Sequence, residues 1–244
     1  MKNLKWLLIG AIALFSFQIK TTSTFDLNHE TVAMENRLFA EIEDYISDFP
    51  SDTSTIPPER RQVLREITRY AEEGLEKNQD VKLTFICTHN SRRSHLAQIW
   101  TAVAANYYGL GESISSYSGG TETTAFNPRA VAALQRAGLQ LNSQDHSTNP
   151  RYSVRFSEDG NSLDCFSKKY SDESNPQSGF AAILTCSHAD ESCPIVSGAE
   201  ARIAIPYVDP KVSDGSPEEV STYDARCRQI AQEMFYWVSK IQRK

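Results

Sequence analysis

The chain has 244 residues, of which 40% are hydrophobic and 23% charged. These are globular proportions, with enough apolar material for one complete core, and they exclude a disordered chain. A net charge of -6 excludes general affinity for nucleic acid or anionic lipid, since both need a surplus of Lys and Arg. Any anion must be bound locally.

The chain opens Met1-Lys2-Asn3-Leu4-Lys5 and then runs from Trp6 to Ile19 almost without polarity, the basic-then-apolar order of an export signal. The run is shorter than the about 20 apolar residues of a spanning helix, so residues 1–24 are expected to be a signal peptide or an N-terminal anchor. No cysteine precedes Cys87, which excludes a lipoprotein. The expectation is an exported protein, periplasmic or tethered outside the cytoplasm, that meets a membrane only through an uncleaved N-terminus. If the segment is not a working signal, the protein is cytoplasmic.

Residues 25–80 are expected to be a helical extension. From Glu30 to Phe49 the apolar residues Val32, Leu38, Phe39, Ile42, Tyr45, Ile46 and Phe49 fall mostly at helical spacing. A polar stretch from Ser51 to Pro58 follows, and Pro57-Pro58-Glu59 opens a second helix through Val63, Leu64, Ile67 and Tyr70. At Val81 the pattern changes. Val-Lys-Leu-Thr-Phe-Ile-Cys is a β-favouring run that ends at Cys87, before a polar loop and an Ala-rich helix from Ser94 to Tyr108.

A second strand fits Ile114–Ser118, and Asn127-Pro128 has the cap-then-Pro start of a helix ending at Gly138. Two extended runs around Glu158-Asp159-Gly160-Asn161 make residues 151–169 a hairpin insertion. Phe180–Cys186 and Arg202–Pro206 are the third and fourth strands. Ser216-Pro217-Glu218-Glu219 has capping-box chemistry and opens a final helix with Tyr223, Cys227, Ile230, Met234, Trp237 and Ile241 on its buried stripe. Strands alternating with helices over residues 81–244 predict an α/β domain, an open four-stranded parallel sheet with helices on both faces.

The five cysteines, Cys87, Cys165, Cys186, Cys193 and Cys227, are odd in number and scattered, unlike a disulfide framework. None has the spacing of a structural zinc site, so no metal and no tightly bound cofactor is expected. Redox or nucleophilic chemistry suits them better. Cys227 lies on the apolar stripe of the last helix and reads as core, Cys165 has no assigned role, and local hydrogen bonding is expected of His188.

Cys87-Thr88-His89-Asn90-Ser91-Arg92-Arg93-Ser94 is a Cys-x5-Arg-Ser sequence where a strand hands over to a helix. There the backbone N–H groups of residues 88 to 93 can turn inward as a nest for a tetrahedral oxyanion, backed by the helix N-terminus. Such a field also favours a thiolate at Cys87. Arg93 offers a planar fork for two oxygens of phosphate or arsenate, and Ser94 can donate to the sulfur. Thr88, His89, Asn90, Ser91, Arg92 and Ser94 are therefore the candidate substrate-binding residues, with Cys87 as nucleophile.

These residues, with Tyr117-Ser118 and Thr121, Asn127-Pro128, Cys186 with Ala189-Asp190, Cys193-Pro194 and Asp209-Pro210, resemble the low-molecular-weight protein-tyrosine-phosphatase superfamily. Within it they resemble the thioredoxin-coupled arsenate reductases. The resemblance implies that Asp209 is the general acid or base at the leaving oxygen. Independently, an Asp-Pro after the last strand lies at the carboxyl edge of the sheet, where Cys87 also emerges and where open α/β sheets bind ligands. The resemblance further implies a relay in which Cys186 and Cys193 resolve Cys87 and an external thioredoxin-like thiol restores them. If the segment between Cys186 and Cys193 were helical, their Cα atoms would be roughly 10 Å apart, too far for a disulfide unless it loops out.

Three functions are weighed, with the reductase first, the phosphatase second and a silent module third. A reductase uses the three cysteines on arsenate, a phosphatase uses Cys87 alone on phosphotyrosine or small aryl phosphates, and a silent module binds oxyanions or senses thiols without turnover. Lys211-Val212-Ser213 stand where the phosphatases have ring-binding tyrosines. His89 stands where both groups have glycine, Arg92 where a second loop cysteine is common, and Gln98 where the reductases have a potassium-linked glutamate. Export favours the phosphatase, because cytosolic thioredoxin would not reach the protein; the cysteines favour the reductase.

Overall fold

The structure, a computed structural model, describes residues 37–49, 55–158, 160, 162–192 and 195–242. The expected export segment, the beginning of the expected first helix and Cys193 lie outside the described residues.

The β-branched and aromatic run at Val81–Cys87 forms β1, buried at all but one position. Being enclosed on both faces suits it to the centre of a parallel sheet. It pairs in parallel with β2 (Ile114–Gly120) on one side and β6 (Phe180–Leu184) on the other, and β7 (Ala199–Ala204) pairs with β6. The spatial order is β2-β1-β6-β7, the expected open four-stranded parallel sheet. Cys87 lies opposite Gly120 at the carboxyl edge.

One face carries Leu83, Phe85, Ile183 and Ile203 into a core shared with α2 (Pro58–Glu76), α3 (Arg93–Tyr107) and α6 (Glu219–Ser239). Trp100 of α3 and Trp237 of α6 are fully buried there. The Ala-rich α3 is buried at 11 of its 15 positions, which explains a composition with no clear polar face. The other face is more thinly covered: Ile86, Phe180, Ala182 and Leu184 pack with Cys186, Ala189 and Val196 around the short α5 (Ser187–Ser192).

The helical extension is built into the main core. Ile42 of α1 (Ala40–Ser47) and Leu64, Ile67 and Ala71 of α2 all belong to it. Within the described residues the expected Glu30–Phe49 helix begins only at Ala40, because Leu38 is extended and bridges Ser157 while Phe39 N–H donates to Phe156 O at 3.0 Å. That bridge ties α1 to the hairpin.

The hairpin consists of β4 (Tyr152–Arg155) and β5 (Leu163–Cys165), and β3 (Gln140–Asn142) makes it a three-stranded antiparallel sheet, β3-β4-β5. Between Asn127 and β3, α4 (Pro128–Arg136) has its expected cap, with Asn127 Oδ1 accepting from Arg129 N–H at 3.0 Å. Other boundaries move by a few residues. The third strand stops at Leu184, since Thr185 turns both its N–H and its hydroxyl onto Ile86 O, and the fourth runs earlier than expected, over Ala199–Ala204.

The capping box at α6 is not reciprocal. Ser216 Oγ accepts from Glu218 N–H at 3.2 Å, whereas the Glu219 carboxylate takes Gly215 N–H at 2.6 Å and Arg129 at 2.8 Å. The arginine competes for the carboxylate and shifts the cap by one residue. Tyr223, Cys227, Ile230, Met234 and Trp237 are buried on the stripe as expected, and Ile241, past the helix end, is half-buried.

Candidate active site

The loop after β1 turns back through Asn90, whose φ of 43° is the left-handed conformation that Asn tolerates better than most residues. Asn90 is fully buried and held at both ends. Its Oδ1 accepts from Lys168 N–H at 2.9 Å and its Nδ2 donates to Ser94 Oγ at 2.9 Å. Ser94 Oγ lies 3.1 Å from Cys87 Sγ, within reach to donate its proton to a thiolate there while accepting from Asn90. Gly120 passes beneath this loop so closely that a Cβ there would lie 2.7 Å from Asn90 N and Thr88 O.

Among the described residues no hydrogen bond takes up the backbone N–H groups of residues 88 to 93. Their carbonyls, by contrast, are engaged: Thr88 O by Glu122 N–H, Ser91 O by Asn127 N–H, and His89 O by the Ser167 hydroxyl at 2.9 Å. A loop whose donors stay uncommitted while its acceptors are tied down is suited to a tetrahedral anion.

Arg93 opens α3 and reaches across the sheet edge. Its Nη2 pairs with Asp209 Oδ2 at 2.8 Å, its Nη1 donates to Tyr207 O at 2.9 Å, and its buried Nε has no acceptor among the described residues. Asp209 caps a 3-10 turn (Pro210–Ser213), accepting from Lys211 N–H at 3.1 Å. Cys87, Ser94, Arg93 and Asp209 are thus brought to one edge, as expected.

Cys186 is at the same edge. Its Sγ is 3.5 Å from Thr88 Oγ1 and accepts from Ala189 N–H at 3.3 Å, and it shares a small apolar cluster with Cys87. His188 Nδ1 lies 3.3 Å from the same Thr88 hydroxyl, the local hydrogen bonding expected of it. The helix α5 fills the segment after Cys186.

The His89 side chain points outward, its Nε2 meeting Glu122 Oε2 at 3.2 Å in the open, so its part in a substrate nest is limited to the backbone. Arg92 is largely buried: its Nε donates to Tyr223 OH at 2.8 Å and lies 4.0 Å from Asp209 Oδ1, with Asp214 at 3.5 Å from its Nη2, so it flanks the site beside Asp209. Ser91 Oγ is likewise spent on Ala125 O at 2.7 Å. Gln98 Nε2 donates to Ser116 O at 3.3 Å, joining α3 to β2. Cys165 and Cys227 are fully buried, and burial pushes each thiol up to about 12, so both stay protonated core residues.

A cluster that the sequence reading missed is built on Tyr207, two residues before Asp209. The guanidinium of Arg60, on α2, is 4.4 Å over the Tyr207 ring; Arg60 Nε and Tyr207 OH both donate to buried Glu233, at 2.9 and 2.6 Å. Arg60 sits beside Arg61 and Glu59 and reads as a solvated charge, but Glu233, next to Met234 on the apolar stripe, could have flagged a buried partner.

A doubly covered parallel sheet with a Cys-x5-Arg loop at its carboxyl edge defines a cysteine-dependent enzyme of the phosphatase-loop class. Residues 82–174 match the family model described as low molecular weight phosphotyrosine protein phosphatase. The arsenate reductase of Halalkalibacterium halodurans is 27% identical over 135 residues, 55% of this chain and 78% of that protein. Arsenate reductase 1 of Staphylococcus saprophyticus is 31% identical over 112 residues, 46% of this chain and 65% of that protein, just under two thirds of it. A solved low molecular weight protein tyrosine phosphatase from T. tengcongensis superposes with a TM-score of 0.44 at 14% identity, over 66% of this chain and 99% of that one. Residues 82–174 are thus similar to the low-molecular-weight phosphotyrosine protein phosphatases, and the chain is similar to arsenate reductases.

Proposed function

We propose that the protein reduces arsenate to arsenite through Cys87, Cys186 and Cys193. The observation that carries this reading is the contact of the Cys186 thiol with Thr88, the residue after Cys87, inside one shared cluster. The names of the relatives support it. In the first step the Cys87 thiolate attacks arsenic held by the loop amides and Arg93, and Asp209 gives a proton to the departing oxygen, which leaves as water. Cys186 then attacks the Cys87 sulfur. The sulfur–arsenic bond breaks with its electron pair going to arsenic, releasing arsenite and leaving a Cys87–Cys186 disulfide. Cys193 attacks Cys186 and frees Cys87, and an external thioredoxin-like dithiol reduces the resulting disulfide. No resident cofactor is involved. Because α5 occupies the intervening segment, joining Cys186 to Cys193 requires that helix to unwind.

Arg93 and Asp209, paired at 2.8 Å, serve equally in a second reading, hydrolysis of phosphotyrosine or small aryl phosphates, in which water replaces Cys186 at the second step. Under either reading an exported protein would need its thiols kept reduced in its own compartment.

Cysteine variants distinguish the two. With arsenate and no added thiol, Cys193→Ser is expected to complete about one turnover and stop as a Cys87–Cys186 disulfide, two hydrogens lighter by intact mass. Cys186→Ser stops earlier, with arsenic on Cys87, and Cys87→Ser forms no adduct. Kept reduced, Cys193→Ser retains any aryl phosphate hydrolysis. If no variant and no wild-type protein forms arsenite while aryl phosphate is hydrolysed steadily, the second reading replaces the first.

A further inference from the structure

The segment that carries Asp209 follows β7, which ends at Ala204; the N–H groups of Ile205 and Tyr207 still donate to Leu184 O and Thr185 O, while its carbonyls are taken up by side chains from far away in the chain. Arg60 Nη2 donates to Ile205 O at 3.2 Å and Arg60 Nη1 to Pro206 O at 3.0 Å. The next carbonyl, Tyr207 O, takes Arg93 Nη1 at 2.9 Å. Three consecutive carbonyls are therefore held by two arginines. The Tyr207 ring lies under the Arg60 guanidinium, and its hydroxyl is tied to Glu233 at 2.6 Å. Glu233 is itself fixed by Arg60 at 2.9 Å and by Gln229 Nε2 at 3.2 Å.

We infer that Arg60, fixed by Glu233, is a positioning residue that aims Asp209 and the Arg93 fork at the anion held over Cys87. The clamp comes from α2, which lies before the residues 82–174 that match the phosphatase family model. Arg60 touches neither substrate nor reacting atoms; it acts through the backbone of residues 205–207. A planar fork that meets two successive carbonyls and one carboxylate is a geometry Lys cannot copy. A shift of the segment moves Asp209, two residues on from Tyr207, relative to a loop that Asn90 and Ser94 hold independently.

The inference rests on the reading of Asp209 as the acid at the leaving oxygen, and the test separates the two. Arg60→Lys keeps a charge facing Glu233 and loses the fork. Arg60→Met combined with Glu233→Gln removes both buried charges together, so that neither is left unpaired if the single variant folds poorly. Full-length variants are compared with wild type and Asp209→Asn over a series of aryl phosphates of graded leaving group, and by hydrogen exchange of the amides from Tyr207 to Val212.

Expected are faster exchange in that segment and a fall in kcat of about ten-fold for poor leaving groups, with good ones little changed, since only poor ones depend on the acid. Adding Asp209→Asn to Arg60→Lys should then cost less than Asp209→Asn costs wild type. Folded variants with wild-type exchange and wild-type leaving-group dependence overturn the clamp. If exchange quickens in Arg60→Lys but wild type shows no leaving-group dependence that Asp209→Asn alters, the clamp is supported and the role of Asp209 is what falls.

Discussion

At the scale of single residues, the site is assembled from a contiguous motif and two distant segments, and each part was legible to a different degree. Cys87, Arg93 and Ser94 could be read directly because strand, loop and helix N-terminus follow one another in eight residues of sequence. Strand order alone put Asp209 at the edge where Cys87 emerges, but its role and that of Cys186 needed a family resemblance, since nothing local says what an Asp-Pro or a strand-end thiol does. The tether of Arg92 to Tyr223 and Asp214 was not legible, because those partners lie 131 and 122 positions away. Arg93 has the most direct consequence. Phosphate is expected to inhibit competitively, and Arg93→Lys to raise its inhibition constant about ten-fold, the loss of one charge-assisted hydrogen bond with charge retained. Equal constants in wild type and variant, measured by initial rates at several phosphate concentrations, would remove Arg93 from the anion site.

Among the elements, the long periodic α6 and the short β-favouring run of β1 were read to within a few residues. The failures have physical causes. β3 has the single apolar residue Leu141 in three positions, too little for a period, and it exists only because β4 offers it a partner. The first helix was drawn too long because Leu38 and Phe39, apolar at helical spacing, are used in an extended bridge to the hairpin. That junction makes a test. Gly138 ends α4 with a φ of 96°, and a Cβ there would stand 2.8 Å from the backbone of Glu41 and Ile42. Gly138→Ala is expected to destabilise the protein by at least about 2 kcal/mol, from left-handed strain and from pushing α1 away. Thermal melting checks this; an unchanged midpoint would mean that α1 does not rest on the end of α4.

For the molecule as a whole, the described part is one body from Arg37 onward, and no helix of the described residues is long and apolar enough to cross a membrane. The resemblance began at Val81, but the core does not: Ile42, Leu64 and Ile67, each wholly buried, precede it. Burying one such side chain contributes about 1.5–3 kcal/mol, against a total stability of about 5–15 kcal/mol for a typical domain. A chain shortened to start at Val81 is therefore expected to lose its cooperative melting transition and its near-ultraviolet circular dichroism, and retention of both would make α1 and α2 ornamental. The pairing of Arg60 with Glu233 spans 173 positions, and that separation sets an order of events. During synthesis from the N-terminus, the Cys87 loop can close on α3 and β2 long before residue 233 exists, whereas the backbone bearing Asp209 cannot be locked until α6 has formed. A growing chain would thus acquire the ability to grip an oxyanion first and the ability to act on it last.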